Sequence, residues 1–103
     1  MITRLWRGWT TRGNADSDER LLGEEILPAI AARLPEGYGG ARVFRREVAE
    51  GVEFLTMLTF DSMEVVRAFA GEDLERAHVP EKARALLSRF DERAQHYSER
   101  ALA

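Results

Sequence analysis

The chain has 103 residues, 15 of them Lys or Arg and 18 Asp or Glu, with a formal charge of −3 and no cysteine. That length holds one domain and one core, and the lack of cysteine excludes disulfides, thiolate zinc sites, iron–sulfur clusters and a cysteine nucleophile. The acidic balance opposes the basic footprint of a nucleic-acid binder, and no apolar run reaches the roughly 18 residues of a membrane span or resembles a signal segment, so a cytoplasmic globular domain is expected.

Met1 to Thr10 reads as a strand, rich in β-branched and aromatic residues with no turn signal before Gly8. Its two tryptophans, Trp6 and Trp9, fall on opposite parities, so both faces of the strand should meet apolar material. Asn14 to Leu34 reads as the first helix, with Asn14 as cap and Leu22, Ile26, Ala29 and Ile30 as its buried stripe. Pro28 inside it should kink the axis. Gly39 to Val48 and Val52 to Phe60 form a hairpin around Ala49-Glu50-Gly51. In its second arm Phe54, Leu58 and Phe60 share one parity and Leu55 and Met57 the other, which again predicts burial on both faces. Asp61-x-x-Glu64 is a capping box opening a short helix with Val65, Val66 and Phe69 inward and Gly71 at its end. Glu72 to His78 reads as one more helical turn, and Pro80 to Phe90 as another helix. Arg93 to Glu99 is the last strand, anchored by Tyr97, and the tail from Arg100 to Ala103 is frayed.

The order strand, helix, strand, strand, helix, strand predicts a single domain over residues 1–100. It is α+β, ferredoxin-like (βαββαβ), with a four-stranded antiparallel sheet and helices on one face. The bare face, apolar in the strand parities, is best covered by a second copy, which predicts a homodimer with a barrel-like core.

Four residues stand out as site candidates. His78 and His96 are the only imidazoles, each either a general base facing a pocket or a hydrogen-bonded structural residue. Trp6 and Phe69 can form the walls of a pocket for a flat substrate, or simply pack. Two histidines eighteen residues apart match no metal spacing, so no metal site is expected. Arg42, Arg45 and Arg46 read as a solvated face paired with Glu47, Glu50 and Glu53. The GYGG run at residues 37–40 is a turn and fits no phosphate loop.

Four segments, MITRLWRGWT, EEILPAIAARLPEGYGGARVFRRE, VEFLTMLTFDSMEVVRAFAGED and FDERAQHYSE, together resemble the antibiotic-biosynthesis-monooxygenase-like family of dimeric α+β barrel proteins. The resemblance spans Met1 to about Glu99. It implies a pocket beneath the helices of each subunit. It also implies one of three groups found in the family: cofactor-independent oxygenases that oxidise polycyclic phenols to quinones, haem degraders, or members with no known activity. Haem-degrading members carry an asparagine on the first strand and a tryptophan on the second helix, where this chain has Arg7 or a neighbour and Phe69. Only His78 falls near that pattern, and the single asparagine, Asn14, lies elsewhere. The expected function is therefore a small monooxygenase-like activity on a flat aromatic or quinol-type compound, with no cofactor. Trp6 and Phe69 would clamp the ring, and His78 or His96 would withdraw a phenolic proton. The competing expectation is a non-catalytic ligand-binding or stress-related dimer of the same fold.

Overall fold

A computed structural model describes residues 1–102. The elements run β1 (Ile2–Thr10), α1 (Arg12–Leu21), a π-helical turn (Leu22–Ile26), α2 (Leu27–Arg33), β2 (Tyr38–Val48), β3 (Gly51–Phe60), α3 (Met63–Ala70), α4 (Glu81–Leu86), β4 (Leu87–Phe90) and β5 (Gln95–Ser98). The sheet is antiparallel throughout, in the order β2-β3-β1-β4, with β5 also on β1. This is the expected ferredoxin-like arrangement with one correction. The fourth strand position is shared by two short strands, β5 against Ile2 to Leu5 and β4 against Gly8 to Thr10.

Most local differences from the sequence reading concern helix ends. The cap of α1 is Thr11, whose hydroxyl accepts from the Asn14 N–H at 3.2 Å, while the Asn14 amide donates to the Leu86 carbonyl. Asn14 thus ties α1 to α4 instead of opening a helix. The helical run continues through Pro28. The π turn just before it widens the coil, with the Leu27 N–H reaching back to the Leu22 carbonyl. A proline cannot donate to the carbonyl four residues back, and a local π-bulge relieves that crowding within a continuous helical run.

Ser62, not Asp61, caps α3, and it does so without a side-chain hydrogen bond, so the capping box does not form. Residues 72–78 are not helical. They are tied to the segment before β5 by the Arg76–Arg93 bridge and by the Asp73–Arg93 ion pair at 2.7 Å. The helix opening after Pro80 stops at Leu86, because Leu87 turns to extended geometry and joins the edge of β1. Leu87 and Phe90 were expected to be helical; an open strand edge with unpaired N–H and C=O groups is the stronger attractor.

The apolar parity of β3 builds the core. Val52, Phe54, Leu58 and Phe60 face the helices and are buried with Ala15, Leu22, Ile30, Leu34, Val66 and Phe69. Each large side chain so buried contributes about 1.5–3 kcal/mol. Gly51 enters β3 at φ +144°, and a Cβ there would strike the Thr10 carbonyl, so glycine is needed for β1 and β3 to approach. The other sheet face carries Leu5, Leu55 and Met57, all half-buried, with Phe44 and Tyr97 exposed at its borders. Tyr97 is therefore no core anchor. Trp9 lies on this same face yet is only 3% exposed, because the Arg89 guanidinium covers its ring at 3.6 Å and that of Arg7 lies 5.2 Å away.

The arginine cluster of β2 divides. Arg46 pairs with Glu53 across the hairpin, as expected, whereas Arg45 crosses to Asp16 and Glu19 of α1. Arg42 lies over the Phe44 ring.

Candidate ligand cavity between sheet and helices

The alternation of β1 and β3 decides what faces the helices. Arg4, Trp6 and Gly8 of β1 pair with Leu58, Thr56 and Phe54 of β3, and together they floor a cavity. Ile26, Leu27 and Ile30 roof it from the first helical run, and Val79, Pro80, Ala83 and Leu87 close its side. The cavity has a volume of about 50 Å³ and is open on one side; all empty space within it and in its mouth comes to about 660 Å³. Gly8 makes part of this room: a Cβ there would lie 3.0 Å from Leu87 Cδ2 and 3.3 Å from the Trp6 ring.

Trp6 stands in the cavity wall because its indole N–H donates to the Asp91 carbonyl at 2.6 Å, and Phe90 supports its ring at 5.9 Å. Phe69 forms another wall, fixed in the core by Phe60 at 5.7 Å and bracketed by the Arg4 and Arg33 guanidinium groups. His78 lies 5.2 Å from the Phe69 ring and borders the same cavity. Burial holds its pKa below the ordinary imidazole value, and the charges of Arg33 and Arg4 add to that effect. His78 is consequently neutral at pH 7, able to accept a proton.

His96 takes a different place. It pairs with Arg4 in the sheet, and its Nε2 lies 2.9 Å from Arg4 Nη1. It is not among the residues bordering the cavity. Arg4 borders the cavity together with His78 and also holds His96, which does not line it. The Arg4 guanidinium also donates to the carbonyls of Leu74 and Arg76 at 2.7 and 2.6 Å. Burial brings its pKa down to about 10, partly offset by Glu75, which leaves the group cationic at neutral pH. Arg4 is thus a buried charge that gathers the loop bearing His78, the last strand and Phe69 into one arrangement.

Two cavity residues escaped the sequence reading. Arg4 looks like the polar half of an ordinary alternating strand. Asp18 looks like one more acid on a charged helix, flanked by Asp16 and Glu19. Yet Asp18 is 3% exposed, and burial raises its carboxyl to about 6. The one available signal was its spacing from Ala15 and Leu22, which places it on the buried stripe of α1. Among the described residues no group of three His, Cys, Asp or Glu side chains converges to hold a metal ion, and no helix is long and apolar enough to cross a membrane.

The chain has the ferredoxin-like fold of the antibiotic-biosynthesis-monooxygenase-like proteins. A candidate antibiotic biosynthesis monooxygenase from Bacillus cereus superposes with a TM-score of 0.60 at 20% identity, over 100% of this chain and 97% of the other. Rv0793 from Mycobacterium tuberculosis superposes with a TM-score of 0.58 at 18% identity, over 100% and 99%. No protein-family model matches the sequence, and no curated protein is detectably similar to it.

Proposed function

We propose that the chain is a cytoplasmic homodimer of the antibiotic-biosynthesis-monooxygenase-like family that oxidises a flat phenol- or quinol-type compound with dioxygen, using neither metal nor flavin. The observation that carries this reading is the convergence of Trp6, Phe69 and His78 on one apolar cavity, with His78 held as a free base. In it, Trp6 and Phe69 hold the ring, and His78 accepts the phenolic proton. The electron-rich phenolate of an anthrone-type substrate then reacts with dioxygen at its ring methylene carbon, and the phenolic proton returns from His78 to the product. One oxygen atom becomes the new carbonyl and the other leaves as water, with both methylene hydrogens. His96, whose Nε2 already accepts from Arg4, positions that guanidinium and does not act as the base.

The dimer reading rests on the uncovered sheet face with Leu5, Leu55, Met57 and Phe44. A ligand-binding dimer without catalysis is the second reading, favoured by the small volume of the cavity, about 50 Å³. Oxygen uptake with anthrone-type and hydroquinone substrates separates the two. Uptake above buffer that falls in His78→Gln supports the oxygenase, and no uptake by the wild-type protein overturns it.

A further inference from the structure

Asp18 is the buried group that folding explains least. Its neighbours on α1 meet the surface and pair there, Asp16 and Glu19 with Arg45. Asp18 instead is 3% exposed, borders the cavity, and has no hydrogen-bond or ion-pair partner among the described residues. A carboxylate in an apolar site without a partner opposes folding, so its presence calls for a compensating use. It follows Ala15 by three residues and precedes Leu22 by four, and both of these pack with Val52 and Phe54. Asp18 therefore lies at the Phe54 and Gly8 end of the cavity floor. Arg4 lies at the Leu58 end, four residues away along β1. A strand advances about 3.3 Å per residue, so the two residues border opposite ends of a floor about 13 Å long. Arg4 keeps donor capacity for a ligand, since its Nε–H has no acceptor among the described residues and only three bonds engage its five N–H groups.

We propose that Asp18 is a ligand-binding residue: it accepts a hydrogen bond from a hydroxyl at one end of an elongated, flat aromatic ligand whose other end presents an anionic or carbonyl oxygen to Arg4. This rests on the reading of the cavity as an aromatic pocket and adds to it the polarity and length of the ligand.

Calorimetric titration of the full chain at pH 7.5 with 6-hydroxy-2-naphthoate and with 2-naphthoate tests it. The hydroxylated probe should bind about tenfold or more tightly, the usual margin for a hydrogen bond to a charged group. In Asp18→Leu, similar in size but without an acceptor, the two probes should bind within about threefold of each other, the residual spread expected once that bond is gone. Equal binding of both probes to the wild-type protein overturns the assignment of Asp18 while leaving the aromatic cavity standing. Binding of neither probe overturns the cavity reading and this inference with it. A structural Asp18 would show itself as a lower melting temperature and lost binding of both probes in Asp18→Leu and in Asp18→Asn alike; that result also overturns the proposal.

Discussion

Arg4 Nη1 and His96 Nε2 lie 2.9 Å apart on adjacent strands, and this contact determines the state of the imidazole. A guanidinium has donors only, so Nε2 must accept and the proton must sit on Nδ1. Protonating Nε2 would end the bond and place a second cation beside the first. Burial foremost, and then the Arg4 charge, accordingly hold the His96 pKa below its ordinary value.

Removal of the Arg4 guanidinium should therefore do two things. Arg4→Met leaves the Leu74 and Arg76 carbonyls without their donor and should cost about 2–4 kcal/mol in chemical denaturation. The His96 pKa, followed by NMR titration, should rise but stay below the ordinary value because burial persists. An unchanged His96 titration would refute the tautomer assignment.

Asp18 predicts a distinct pH dependence of stability. Its folded pKa, about 6, exceeds the unfolded 3.8. Between these values the folded state binds the extra proton, so stability is lost as pH rises from about 4 to about 6. The loss is at most about 3 kcal/mol, at about 1.4 kcal/mol per pKa unit. Asp18→Asn should match the wild type near pH 4 and exceed it above pH 6, as read from urea unfolding at each pH.

His78 has the opposite sign. Its folded pKa lies below the unfolded one, so the stability it contributes is complete above pH 6.5 and declines as pH falls through the folded value. If His78 is the base, substrate turnover should fall over the same acidic range, and His78→Gln should lower the rate about 10²-fold or more. A variant retaining full activity would remove His78 from the mechanism.

Thr10 is fully buried, and its hydroxyl has no hydrogen-bond partner among the described residues. Thr10→Val keeps the shape and removes the unsatisfied group. It should raise stability by about 1 kcal/mol, visible as a higher melting temperature, and leave ligand binding alone.

For the dimer, the decisive residues are Leu55 and Met57, on the sheet face away from the helices. Leu55→Lys should convert the proposed homodimer to an 11.7 kDa monomer by light scattering. The wild-type chain as a monomer at micromolar concentration would refute the dimer.

The strands β1, β2 and β3, their alternation and the core set of Phe54, Leu58, Phe60, Val66 and Phe69 were all legible in the sequence. These are period-2 and period-3.6 patterns of apolar residues, carried by neighbouring positions and written locally. Trp6, Phe69 and His78 could be picked out as residue types, and the cavity does gather them. Other features depended on partners far away in the chain. Leu87 to Phe90 form a strand because the edge of β1 lacks a neighbour. Arg4 is buried because the carbonyls of Leu74 and Arg76, some seventy residues on, arrive to receive it. Asp18 is unpaired because the helix turns it under while Asp16 and Glu19 stay at the surface. A sequence states which groups are present; only their packing decides which of those groups lose water, and with it which charges are available to a ligand.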